Sequence, residues 1–206
     1  MLRFTLTLGL LGTLAAASQA GTLVPSGEAI TTSVQREQVD TVEPFYRAYL
    51  TTDAEKFAFL MPDKYRLGGD PAHGKLLLEN MEKGGMISFT FMRSSDSDPA
   101  ETGRDAYRQL LASRYPKAKF VGEFSTSAGG HSGDGFEFQW VAPNGLVEKT
   151  RAVYLHTNAG LLELISTRSA TNAPEAQNSL DEIIHTFAAS ASANGQLVVH
   201  HIARSN

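Results

Sequence analysis

The stretch GGHSGDGFEFQW, residues 129–140, decides between two readings of this chain. Gly130-His131-Ser132-Gly133 has the look of the glycine-serine-glycine elbow that carries the nucleophile of serine esterases. That elbow needs a glycine two residues after the serine, a strand before it and a helix after it. Here the residue two after Ser132 is Asp134, and the segment beyond it is Phe136-Glu137-Phe138-Gln139-Trp140, apolar at every second place. Such alternation marks a strand with one buried face. Gly129 through Gly135 therefore read as the joint of a hairpin between a Phe124 strand and a Phe136 strand. His131, Ser132 and Asp134 become solvated turn residues.

The same alternation recurs outward in both directions. Phe57, Phe59 and Met61 share one face of a strand, as do Ile87, Phe89 and Phe91, and Phe120 and Phe124 across Gly122. Residues 74–81, 147–157 and 160–168 add three more strands. Pro143-Asn144-Gly145 and Asn158-Ala159-Gly160 supply short glycine-containing joints. Half-apolar strands of this kind belong to an antiparallel sheet, because a sheet covered on both faces reads as continuous apolar runs. The single apolar face needs a cover, and two amphipathic helices provide it. One is predicted from Pro99 to Tyr115, with Asp98 as N-cap, Glu101 completing a capping box, an apolar face of Tyr107, Leu110 and Leu111, and Pro116 as its stop. The other is predicted from Ala173 to Ala189, capped by Asn172, with Leu180, Ile183, Ile184 and Phe187 at i, i+3, i+4 and i+7.

The remaining candidates for chemistry are sparse. His131 and Asp134 are too few to close a tetrahedral zinc shell. Asp96-Ser97-Asp98 begins like a calcium loop but lacks the central glycine and the distant glutamate. His200 and His201 are adjacent and would point to opposite faces of a strand. No catalytic, cofactor-binding or metal-ligating residue is assigned, although carboxylates brought together from distant strands are invisible at this level.

Arg3, the apolar run Phe4 to Ala17 and Ser18-Gln19-Ala20 form the pattern of a secretory signal, with cleavage expected after Ala20. The run falls short of the roughly 20 residues that span a bilayer. The chain has no cysteine, so neither a lipid anchor on cysteine nor a disulfide contributes. Beyond residue 20 it carries 17 basic and 22 acidic residues, net −5, which argues against general binding to nucleic acid or anionic membrane. The expected organisation is a signal peptide over 1–20, a polar leader over 21–42 with a short edge strand at Ala29 to Val34 as the alternative, one domain over 43–190, and a linker with a strand-like tail over 191–206. The tail, Leu197 to Ile202, is expected to pair with a sheet edge of its own chain or of a partner.

The order of elements, with Phe57-x-Phe59-x-x-Pro62-Asp63-x-Tyr65 at its start, Phe136-Glu137-Phe138, Arg151-Ala152-Val153-Tyr154, Gly160-Leu161-Leu162-Glu163-Leu164 and Leu180-x-x-Ile183-Ile184-x-x-Phe187 at its end, resembles the PsbP-like superfamily. That superfamily includes the extrinsic P protein of photosystem II and the DcrB-type and Mog-type proteins. The resemblance spans about residues 43 to 190. It departs from the family at Tyr65, where tryptophan is usual. It implies an α+β fold, an α-β-α sandwich around a central antiparallel sheet, and a non-catalytic protein. Such a protein binds or assembles with a protein partner in the periplasm or outside the cell. The alternatives are a structural or envelope-stress protein acting by strand addition, and a hydrolase with a site assembled across strands. Phe138 is expected beneath the second helix near Ile184 and Phe187, and Phe138→Ala to cost about 3 to 5 kcal/mol in a thermal or denaturant melt.

Overall fold

The computed structural model describes residues 23–38, 43–82, 85–94, 103–169, 175–190 and 197. The expected signal peptide, the Asp96-Ser97-Asp98 loop and the tail residues 198–206 lie outside them. The long alternating runs become strands β8 (Lys119–Ala128), β9 (His131–Val141), β10 (Val147–Thr157) and β11 (Gly160–Ser169), joined as an antiparallel meander. The meander continues through β7 (Met86–Ser94), β6 (Lys75–Asn80) and β5 (Tyr65–Asp70), while β1 (Leu23–Pro25) pairs with β7, completing an eight-stranded sheet. A second sheet has the order β12-β4-β3-β2, formed by Ala188–Ala189, Lys56–Leu60, Phe45–Thr51 and Thr31–Glu37. Both sheets are antiparallel throughout the described pairs, and two α-helices accompany them, so the fold class is α+β.

The large sheet is covered on both faces. On one, helix α1 (Arg104–Arg114) lays Tyr107 and Leu111 onto Phe136, Phe138, Ala152, Tyr154, Leu161 and Ile165. On the other, helix α2 (Glu175–Thr186) and the small sheet bring Leu180, Ile183 and Phe187, with Phe57 and Phe59, against Phe89, Phe91, Val153, Leu155, Leu162 and Leu164. Rings interlock at that junction, with Phe59 stacked 5.1 Å from Phe89, and Phe57 5.5 Å from Phe187. Burial on this scale supplies most of the stability available to a chain without crosslinks.

Several expectations change in the structure. The turn after Ala128 is only Gly129-Gly130, the two residues with positive φ (58° and 85°), and pairing starts at once with Ala128 opposite His131. His131, Ser132 and Asp134 therefore belong to strand β9. Phe120 and Phe124 do not share a face. A bulge at Val121 breaks the register between Phe120 and Gly122, which sends Phe120 toward α1 with Phe136 and Phe138, and Phe124 toward α2. Phe138 of β9 packs under α1, its ring 5.0 Å from that of Tyr115, not under α2. Its burial is as expected, with 1% of its surface exposed.

Helix α1 begins at Arg104, after Gly103 in an extended conformation, and Asp98, Pro99 and Glu101 lie outside the described residues. Helix α2 stops at Thr186, because Ala188 and Ala189 leave the helix to pair with Ala58 and Phe57 of β4. Asn172 lies outside the described residues. The segment expected to be a polar leader contains β1 and β2, the second overlapping the alternative edge strand. Strands β3 and β5 go beyond the expected set: Arg47 interrupts the apolar pattern of β3, and β5 carries Gly68 and Gly69.

Two glycines set the local geometry of β9. A Cβ on Gly135 would lie 2.2 Å from the Phe124 ring, and one on Gly133 would lie 2.1 Å from the Tyr154 carbonyl oxygen. The Phe124 ring thus lies flat on the bare backbone of Gly135, with the Arg151 guanidinium carbon 4.5 Å above its centroid. Gly135→Ala is expected to cost about 1 to 3 kcal/mol by overpacking. In a Phe124→Ala background most of that loss should vanish, which a double-mutant cycle by denaturant unfolding will measure.

Candidate functional site

Among the charged groups of the described residues, several form pairs that fasten elements together, and others border a cleft. The first kind begins with a histidine that the sequence pattern alone assigns to a turn. His131 Nε2 lies 2.7 Å from Oε1 of Glu55, whose side chain is 1% exposed. Oε2 of the same carboxylate accepts the Asn158 amide at 2.9 Å. Glu55 belongs to the β3–β4 turn, His131 to the start of β9 and Asn158 to the β10–β11 turn, so one carboxylate joins three turns. Gly129 belongs to the same junction, since a Cβ there would press 3.0 Å from the Ala189 amide nitrogen.

Asp134 points to the opposite face and receives Arg104 of α1, which also donates to Ser125 Oγ at 2.9 Å. Arg108 meets Glu123 at 2.9 Å, and Arg114 donates to both oxygens of the buried Glu163 at 2.7 Å. Three arginines on one helix thus hold α1 to three strands. Around Glu163 the phenols stay protonated. Burial pushes Tyr154 far above its usual range with the Glu163 charge adding to it, and burial also raises Tyr107 and Tyr115. Burial opposes the Arg114 charge, but the Glu163 carboxylate outweighs it and raises its pKa. In the small sheet, Arg47 Nε donates to Glu37 at 3.0 Å, and the Tyr49 hydroxyl donates to the same carboxylate at 2.6 Å. Burial and that hydrogen bond push Tyr49 to about 12.

None of these pairs borders the cleft. It lies at the other end of the strands, on the α2 side of the large sheet. It measures about 160 Å³ and is bordered by Val121, Gln139, Lys149, Arg151, Ser166 and Arg168, among others. Arg151 forms ion pairs there with Asp181 of α2 and, at 3.6 Å, with Glu137. Beyond it rises the β9–β10 hairpin, closed by Ala142 N–H to Leu146 O at 2.9 Å and Gly145 N–H to Ala142 O at 2.8 Å. Val141 and Val147 are cross-strand partners on this hairpin, 63% and 44% exposed, and Leu146 is 49% exposed. Val121, the bulge residue, adds 54% exposure to the same end.

Of the residues weighed from the sequence, His131 and Asp134 enter structural pairs on opposite faces of β9 and do not meet. Ser132 is exposed, while Asp96, Asp98, His200 and His201 lie outside the described residues. Glu55 and the Lys149, Arg151 and Arg168 group emerge only from the structure. Lys149 and Arg151 at i and i+2 of an alternating run are the one signal the sequence offers for them. Among the described residues no group of three or more His, Asp or Glu side chains converges to hold a metal ion. No described helix is long and apolar enough to cross a membrane.

No protein-family model matches the chain, and no curated protein matches its sequence. Among solved structures it is similar to LpqN of Mycobacterium tuberculosis, a protein described as involved in cell envelope biogenesis. That match has a TM-score of 0.54, 13% identity, and covers 77% of this chain and 91% of LpqN. The chain shares a fold with LpqN. The solution structure of cyanobacterial PsbP from Synechocystis sp. PCC 6803 is similar at a TM-score of 0.44, with 14% identity over 87% of this chain and 98% of that one. A Pseudomonas aeruginosa protein of unknown function, PA94, is similar at 0.44 and 12% identity, over 74% and 94%.

Removing His131 strands a buried carboxylate, a loss of about 3 kcal/mol or more. His131→Ala is therefore expected to lower stability by that amount in denaturant unfolding, and Ser132→Ala to stay within about 0.5 kcal/mol of the parent. His131 thus departs from the solvated turn residue expected of it, while Ser132 stays exposed and dispensable.

Proposed function

We propose that the chain is an exported, non-catalytic binding or assembly accessory protein of PsbP-like type that docks on a protein partner through the β9–β10 end of its large sheet. The observation that carries this reading is the exposed apolar group of Val141, Leu146 and Val147, mounted on a closed hairpin. A contiguous apolar patch that a fold does not bury marks a contact surface. The ionic pairs support it by contrast: Glu55, Glu163 and Glu37 are spent on fastening turns, helix and strands, which leaves them poorly placed to act on a substrate.

Export rests on the apolar first twenty residues, with cleavage after Ala20. An envelope location accords with the role described for LpqN. In the layered arrangement that the PsbP-like resemblance implies, α1 and α2 form the outer layers, and the small sheet is an addition beside α2. Strand addition keeps support as a second reading from β2, which pairs with β3 alone among the described strands and is exposed along most of its length.

The combined variant Val141→Thr, Leu146→Asp, Val147→Thr keeps strand-forming residues in the ladder and removes the apolar surface. Its unfolding free energy should stay within about 1 kcal/mol of the parent. Recovery of the co-purifying partner from an envelope extract should fall at least about tenfold. Undiminished recovery would sink the hairpin reading. Loss of recovery on substituting proline into β2, with the hairpin variant unaffected, would favour strand addition.

A further inference from the structure

The outer face of the small sheet is closed to solvent, and neither apolar cluster closes it. Register sets the residues of that face: Ala188 opposite Ala58, Ala58 opposite Tyr49, and Leu60 opposite Arg47, all turned away from the inner Phe57 and Phe59. Ala188, Ala58, Leu60 and Arg47 are 9, 0, 8 and 1% exposed. Ala58, Leu60 and Ala188 nevertheless belong to neither of the clusters that fill the two sides of the large sheet. On β2, the next strand along, Ser33 and Gln35 of the same face are exposed. A cover therefore spans β12, β4 and β3, about 10 Å at the usual strand spacing, and stops before β2. Arg47 sets the chemistry that this cover brings. Its Nε donates to Glu37, and its guanidinium carbon lies 5.6 Å from the Phe45 ring centroid. Nη1 is buried with no acceptor. A guanidinium keeps its charge inside a protein, and a buried N–H left without an acceptor is costly. Glu37 already balances the charge, so the missing group is a neutral oxygen rather than a second carboxylate.

We infer that residues 191–202 of this chain are the cover: the segment crosses the outer face of the small sheet as a layer of its own, sets apolar side chains on Ala58 and Leu60, and gives Arg47 Nη1 a backbone or amide oxygen. The chain is delivered to the right place. Ser190 N–H donates to Lys56 O at 2.9 Å and Lys56 N–H to Ser190 Oγ at 3.3 Å, at the β12–β4 margin of that face. The six residues 191–196 reach up to about 20 Å when extended, twice the width to be crossed. Leu197, the one described residue beyond Ser190, is partly buried. Residues 191–206 contain Leu197, Val198, Val199 and Ile202 and no Asp or Glu, which matches an apolar cover that supplies a neutral acceptor. Residues 1–22 fit the place less well, because Leu23 opens β1 against β7 and packs in the α1-side cluster. The strand-like tail thus lies over a face of its own chain rather than along a sheet edge, whichever surface the hairpin docks on.

The chain has no cysteine, so Ala203→Cys in the whole protein takes a single nitroxide label. Paramagnetic broadening of backbone amide signals is expected to be strongest at 47–49 and 58–60 and absent along α1, on the far side of the large sheet. Removing residues 191–206 should shift the amides of 47, 49, 58 and 60 and speed their exchange at least about tenfold, while exchange along β2 stays unchanged. If the shortened chain does not fold, the labelled whole chain still decides. Broadening strongest along β2, or faster β2 exchange in the shortened chain, would show strand addition at that edge and overturns the inference. Broadening that passes from a labelled copy to an unlabelled one gives the face to a second molecule and overturns it equally. So does a label without effect at 47–49 and 58–60, or a shift of those amides on removing residues 1–20 instead of 191–206, since either result assigns the face to another cover.

Discussion

Burial of the central strands on both faces is the constraint from which the rest of this fold derives. Ala152, Val153, Tyr154 and Leu155 of β10 are 0% exposed, and Leu161, Leu162 and Leu164 of β11 likewise. A strand in that position presents alternate side chains to opposite sides and needs two covers. The two covers are built of different materials. On one side a single helix buries Tyr107 and Leu111 and is also fastened through Arg104, Arg108 and Arg114. On the other, a second sheet and a second helix share the surface, meeting at Phe57, Phe59 and Phe187.

The meander is legible in the sequence because β8 to β11 are long, alternate in part and are joined by glycine turns. Its two-sided burial is less so. The run Ala152-Val153-Tyr154-Leu155 is continuous and apolar, but it sits beside the clean alternation of Phe136, Phe138 and Trp140, which suggests a single buried face for both strands. The small sheet is hidden for a related reason. Its β3 buries an arginine, Arg47 at 1% exposure, so the residue that looks most solvated lies inside. The Val121 bulge is invisible for another reason: one extra residue leaves composition unchanged and reverses every side chain beyond it.

The candidate site is less legible still. A histidine between glycines looks like turn polarity, and its role comes from Glu55, 76 residues away in sequence. The opposed cations of the cleft become visible only once register sets Lys149 against Arg168. Cross-strand identity of this kind is a property of pairing, and pairing is fixed by turn length and bulge position together. The resemblance to PsbP-like proteins, carried by apolar spacing, says nothing of either charge cluster.

The turns joined by Glu55 and the hairpin of Val141 and Val147 lie at opposite ends of the same 11-residue strands, about 33 Å apart at the usual rise per residue. The molecule is therefore built as a cantilever. It is rooted where one carboxylate ties three connections, and among the described residues it is unpaired by β8 and β11 where the hairpin projects past Gln139 and Glu148. A load on the projecting end is carried lengthwise down two paired strands to an ionic root. The root keeps the two sheets in fixed relation, because Glu55 of the small sheet's β3–β4 turn holds both His131 and Asn158 of the large sheet.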